Sequence, residues 1–187
     1  MRENLIVAVF LLVLAVLAAI RISTGNAGPD PAKWLLHECG FWSLALLLLT
    51  LSVSTVSRIA KARRLVSWRR PLGLAAFGVT SAHLFVYVTV YQGLDLFQIC
   101  ADISKHRYIT LGFLAWMFLV PLAATSTRAA RIQLGTAWKK LHRVVYLIAL
   151  LSIVHQGMAQ KADLLQTIIF SAIFTGLMVE RAIHARR

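Results

Sequence analysis

The chain has 187 residues, 59% of them hydrophobic and only 14% charged, with a mean hydropathy of +0.73. Soluble domains carry about a quarter charged residues, so this composition excludes an ordinary globular protein and indicates a polytopic membrane protein. The formal net charge of +13 does not point to nucleic acid, because the basic residues lie between apolar runs and not on one soluble face.

A helix that crosses a bilayer needs about 20 mostly apolar residues. Six stretches meet or approach that length. The first, residues 5–22, reads as an uncleaved anchor. A cleaved signal peptide is the competing reading, since small residues follow it, but the apolar run is longer than a usual signal core. GNAGPDPAK (residues 25–33) is a turn-rich loop whose prolines cannot continue a helix. The second span covers residues 34–56. The third covers 72–91, with Pro71 at its opening, where a missing N–H does no harm. The fourth covers 109–125 and is expected to kink at Pro121. The fifth covers 141–158, and the sixth 164–179, extended to Ala182 by snorkelling of Arg181. The expectation is an all-α, six-transmembrane-helix bundle forming one domain over residues 1–187. No internal repeat or low-complexity segment is evident.

Loop charge sets the expected orientation, because Lys and Arg concentrate on the cytoplasmic side. Residues 58–70 hold six basic side chains and residues 126–140 hold Arg128, Arg131, Lys139 and Lys140. With Arg2, Arg143, Arg181, Arg186 and Arg187, fifteen fall on one side; Arg21, Lys33, Lys105, Arg107 and Lys161 fall on the other, with Asp30, Asp95, Asp102 and Asp163. Both termini are therefore expected in the cytoplasm. Trp34, Trp68, Tyr108 and Trp138 read as interface anchors. Cys39 and Cys100 both fall near the outer face, but Cys39 reads as buried in a helix, which argues against a disulfide.

The chemistry lies in the histidines. An intramembrane histidine is costly without a partner and is a functional hypothesis by default. His83 lies twelve residues beyond Pro71, about 18 Å deep, and His155 lies fourteen beyond Leu141, about 21 Å deep. Their helices run the same way, so the two sit at matching height, as axial ligands on opposite faces of one b-type haem would. Paired buried histidines bonded to backbone or hydroxyls are the plainer alternative. Thr80 and Tyr87 share the His83 face and Ser152 precedes His155 by one turn; such hydroxyls can orient ligands or simply join helices. His142 sits at the inner edge of the fifth span. It is about 19.5 Å from His155, but thirteen helical steps leave the two side chains about 140° apart. It reads as an iron ligand, a flavin or quinone contact, or an interfacial residue. His37 enters the second span beside Glu38, near the outer site, as a ligand, a propionate contact, part of a proton or quinone path, or an interfacial residue. His106 and His184 lie among charged residues and read as solvent-exposed. No nucleophile–base triad, HExxH, CxxC or phosphate loop is present, so hydrolysis and metal-dependent proteolysis have no support.

Four stretches carry a family resemblance: GPDPAKWLLHECG (28–40), RRPLGLAAFGVTSAHLFVYV (69–88), RYITLGFLAWMFLVPLAATST (107–127) and LGTAWKKLHRVVYLIALLSIVH (134–155). The chain resembles the haem-binding membrane subunits of periplasmic methionine-sulfoxide reductase systems, the MsrQ (YedZ) family, which belongs with the ferric-reductase-like transmembrane domains. The resemblance implies a multi-pass protein of the bacterial inner membrane. It would take electrons from a cytoplasmic flavin reductase or quinol, and pass them through b haem to a periplasmic molybdopterin enzyme that reduces methionine sulfoxide in oxidised proteins. The sulfoxide chemistry would occur on that partner. The resemblance also implies FMN, though no residue is assigned to it beyond the basic inner residues Arg64, Arg69 and Lys139. It makes His83 and His155 the principal haem ligands, His142 a further candidate, and His37 a matching position of less certain role. Related oxidases carry two histidines on each of two helices. Here the fourth position falls on Arg69 and Arg70, leaving one haem or two open. The rival functions are a ferric or quinone reductase with another partner, and a haem-free proton-coupled transporter or scaffold.

Overall fold

The computed structural model describes residues 2–160 and 164–185. Lys161, Asp163, Arg186 and Arg187, used above for loop charge, lie outside the described residues. Eight α-helices form among the described residues: α1 Arg2–Ser23, α2 Pro31–Ile59, α3 Arg69–Val86, α4 Leu96–Lys105, α5 Arg107–Ala124, α6 Arg128–His142, α7 Val145–Ala159 and α8 Leu165–Ala185. Six candidate spans are long and apolar enough to cross a membrane: α1, α2, α3 with its flanking turns, α5, α6 together with α7, and α8.

Local chemistry explains the boundaries. Asp30 caps α2 by accepting from Lys33 N at 2.9 Å, with Pro31 in the first turn. Asp95 caps α4 by accepting from Phe97 N and Gln98 N. Thr127 caps α6 by accepting from Ala130 N at 3.1 Å. A 3₁₀ segment, Arg63–Trp68, feeds α3, and the end of that span widens into a π turn, Tyr87–Tyr91.

Two helices depart from expectation. Residues 126–140, read as a loop, form α6, and residues 96–105 form α4. Both are too polar or too short for a hydropathy search, yet both have caps and helical spacing. The first of them lengthens the fifth span at its inner end. α6 is broken at Gly135, where φ is 50°, and its second part, which carries His142, runs through Arg143 and Val144, both in the right-handed helical region, into α7. His142 therefore stays at the inner edge of the fifth span, which runs over Arg128–Ala159.

The bundle is made of two antiparallel hairpins, α2 with α3 and α5 with α7, the most extensive pairings in the molecule. Leu44, Leu47, Leu48 and Leu51 of α2 pack against Ala75 and Ala76 of α3, and join Leu119 and Leu122 of α5 and Ile148, Ala149 and Ile153 of α7. The small residues of α3 allow the close approach that membrane helices use in place of a hydrophobic drive. Large apolar side chains such as Leu12 and Leu17 face outward, as a lipid-facing surface requires.

Candidate paired-histidine site

His83 comes from α3 and His155 from α7, one from each hairpin. Their ring centroids are 6.2 Å apart and their planes stand at 87°. Each ring is oriented by a backbone carbonyl: His83 Nδ1 donates to Leu36 O at 2.9 Å and His155 Nδ1 donates to Tyr108 O at 2.7 Å. A carbonyl can only accept, so Nδ1 carries the proton in both rings and Nε2 keeps its lone pair. That is the tautomer a metal-binding histidine needs, with the outer hydrogen bond that such ligands almost always make. The expected hydroxyl orienters play no part in it. Thr80 donates to Ala76 O and Tyr87 to Asp102.

Spacing tests whether one metal fits between the rings. Two imidazoles on opposite sides of one ion, each bonded at about 2 Å, have centroids about 6 Å apart, and 6.2 Å is observed. Among the described residues, no group of three or more His, Cys, Asp or Glu could hold a metal. Iron held here would need equatorial donors from a macrocycle, so the donor set fits a haem.

Both rings lie against glycines. A Cβ built on Gly112 would sit 2.8 Å from Cε1 and 2.9 Å from Nδ1 of His155; one on Gly40 would sit 3.4 Å from both atoms of His83. Leu36 and Tyr108 each lie one helical turn before their glycine. None of these four residues was singled out as part of the site from the sequence.

His142 lies elsewhere, whereas His37 adjoins the pair, next to Leu36, whose carbonyl binds His83. His142 stacks on Trp138, with centroids 3.9 Å apart and planes at 23°. Its Nε2 is 3.1 Å from Thr125 Oγ1, whose own proton goes to Pro121 O at 2.6 Å. His142 Nε2 is then the donor to Thr125. Both side chains of the Trp138–His142 stack line a cavity of about 630 Å³ at the basic end, with Arg69, Arg70, Arg128 and Arg131. Trp138 is thus more than an anchor: its indole N–H also donates to Thr125 O at 3.0 Å. His37 is exposed and faces a smaller polar cavity with Glu38, Phe41, Gln160 and Gln166. His106, expected in solvent, is partly covered and lies 3.9 Å from Asp102, whereas His184 is exposed. Cys39 and Cys100 are free thiols.

Six candidate spans around two neighbouring imidazoles, each with Nδ1 protonated and Nε2 free, define an integral-membrane helical bundle. Residues 39–153 match the family described as ferric reductase like transmembrane component. The chain is 44% identical over 164 residues to the protein-methionine-sulfoxide reductase heme-binding subunit MsrQ of Caulobacter vibrioides, covering 87% of this chain and 78% of that one. It is 38% identical over 167 residues to the MsrQ protein of Xanthomonas campestris pv. campestris strain 8004 (86% and 75%), and 35% identical over 163 residues to that of Xanthomonas axonopodis pv. citri (86% and 75%). The chain belongs to the MsrQ family, within the ferric-reductase-like transmembrane components. No solved structure matches it.

Proposed function

We propose that this protein is the haem-binding, electron-transferring membrane subunit of a methionine-sulfoxide reductase system. The observation that carries the reading is the His83–His155 pair, with two free Nε2 atoms on rings 6.2 Å apart. His83 and His155 would hold a b-type haem, and Leu36 O and Tyr108 O would fix their tautomer and orientation. When bound, the haem supplies one-electron iron chemistry. The relatives' name supports the partner, a methionine-sulfoxide reductase. On the expected topology that partner is a periplasmic molybdopterin enzyme, the basic end faces the cytoplasm, and the membrane is the bacterial inner membrane.

Electrons would enter at the basic end from a flavin reductase or quinol. The cavity there suits FMN: four arginines favour its phosphate, and Phe77 offers a face for its ring system. We place His142 in this cavity. Its Nε2 is engaged by Thr125, and Arg70 is held by Ser126 O at 2.8 Å, so two imidazoles do not face each other at this end.

The test is an optical spectrum of the detergent-solubilised protein, oxidised and then reduced, with haem and flavin quantified per chain. The expected result is a reduced b-type spectrum that His83→Ala and His155→Ala abolish. His142→Ala should lower the flavin content and leave that spectrum in place. A colourless protein from haem-replete cells would refute the proposal and favour a transporter or scaffold. Turnover of methionine sulfoxide after reconstitution with the partner separates this reading from a ferric or quinone reductase.

A further inference from the structure

The two histidines are built by the same device used twice. His83 bonds a carbonyl 47 residues earlier, and so does His155. Gly40 precedes His83 by 43 residues, and Gly112 precedes His155 by the same interval. Glycine and histidine therefore recur at a shift of 72, as does the phenylalanine after each glycine, Phe41 and Phe113. The α2–α3 and α5–α7 hairpins thus present their histidines with the same local spacing. Outside the paired-histidine site that spacing fails: 72 residues before His142 stands Arg70.

The geometry points to Gly40 and Gly112 as positioning residues that seat the ligand imidazoles and set their perpendicular planes. This inference rests on the haem reading above. The contacts themselves carry it. An alanine Cβ at Gly112 would meet the His155 ring at 2.8–2.9 Å, closer than a methyl can approach, and the atoms it meets include Nδ1, the donor to Tyr108 O. The ring would have to turn or withdraw, breaking the hydrogen bond that frees Nε2. At Gly40 the corresponding contact is 3.4 Å, so His83 need only tilt. Nothing lies within 4 Å of a Cβ on Gly78 or Gly176, two other helical glycines. These serve as controls, because alanine is the better helix former at all four positions and only the seats should respond adversely.

The experiment compares Gly112→Ala, Gly40→Ala, Gly78→Ala and Gly176→Ala by haem content, redox midpoint and low-temperature EPR of the oxidised protein. Perpendicular imidazole planes give a strongly anisotropic low-spin signal, which moves toward an ordinary rhombic one as the planes rotate toward parallel. Gly112→Ala should weaken haem retention about 10–100-fold, the range for losing an outer-shell ligand contact. Gly40→Ala should keep the haem with a shifted signal, and the two controls should match the wild type. Should Gly112→Ala fail to accumulate, the EPR signal of Gly40→Ala carries the test. Wild-type haem content and EPR in both seat variants would overturn the seat while leaving the haem reading intact. Haem retained in both histidine variants would overturn the haem reading, and the seat with it.

Discussion

Tyr146→Phe removes one hydroxyl near the basic end of α7 and changes little else. Arg181, on α8, donates to Tyr146 Oη and to Leu51 O at 2.6 Å, and its guanidinium lies 5.0 Å over the Tyr146 ring. One side chain thus ties α8 to α2 and to α7, the helix that carries His155. Phenylalanine keeps the cation–π contact, worth about 0.5–2 kcal/mol, so the substitution isolates the hydrogen bond. Bonds to charged groups contribute about 1.5–3 kcal/mol in soluble proteins; in membranes the measured values average about 0.6 and reach about 1.7. Arg181 Nε already lacks a partner among the described residues, so a second unpaired N–H puts the loss at the upper end, about 1.5 kcal/mol. That is slightly more than tenfold in the folding equilibrium. The assay is denaturant titration of the detergent-solubilised protein, followed by far-UV circular dichroism and tryptophan fluorescence. Combining Tyr146→Phe with Arg181→Met closes a double-mutant cycle whose coupling should approach the same figure. A Tyr146→Phe protein within about 0.3 kcal/mol of wild type, or strictly additive effects in the cycle, would refute the reasoning.

Three further outcomes are expected. Ile148→Ala empties a side chain that is 1% exposed and should cost about 3 kcal/mol, read as a lowered thermal midpoint. Arg69→Ala and Arg131→Ala should each weaken FMN binding about tenfold at low salt and less at high salt, because the attraction is screened; flavin fluorescence titration measures this. Tyr87→Phe breaks the bond to Asp102 at 3.1 Å and the one from Gln92 at 3.0 Å, while Gln92 keeps Asp102 at 2.6 Å. Amide exchange in α4 should quicken with the haem spectrum unchanged.

The spans were legible because lipid allows few alternatives to a long apolar helix, and the level of His83 and His155 followed from constant helical rise. The amphipathic helix α4 and the basic helix α6 were not, since a hydropathy reading treats charged segments between spans as loops. The glycine seats were hidden for a different reason. Glycine is ordinary in membrane helices, and what distinguishes Gly40 and Gly112 is a shared interval to a histidine on the next spanning helix. Apart from a few positions such as Gly40, Phe41 and His83, the two hairpins share little sequence at that shift, because lipid accepts many apolar residues where the ligand geometry accepts one.

The two-hairpin construction makes the centre an assembly problem as well as a folding one. Each hairpin carries its own ligand, its own orienting carbonyl and its own glycine, and the segment joining them runs through the exposed tip around Leu94 and Leu96. Chain continuity there contributes proximity and not chemistry. A protein severed between residues 92 and 96 should reassemble from its separately made halves when haem is supplied, with the iron acting as the bolt that joins them.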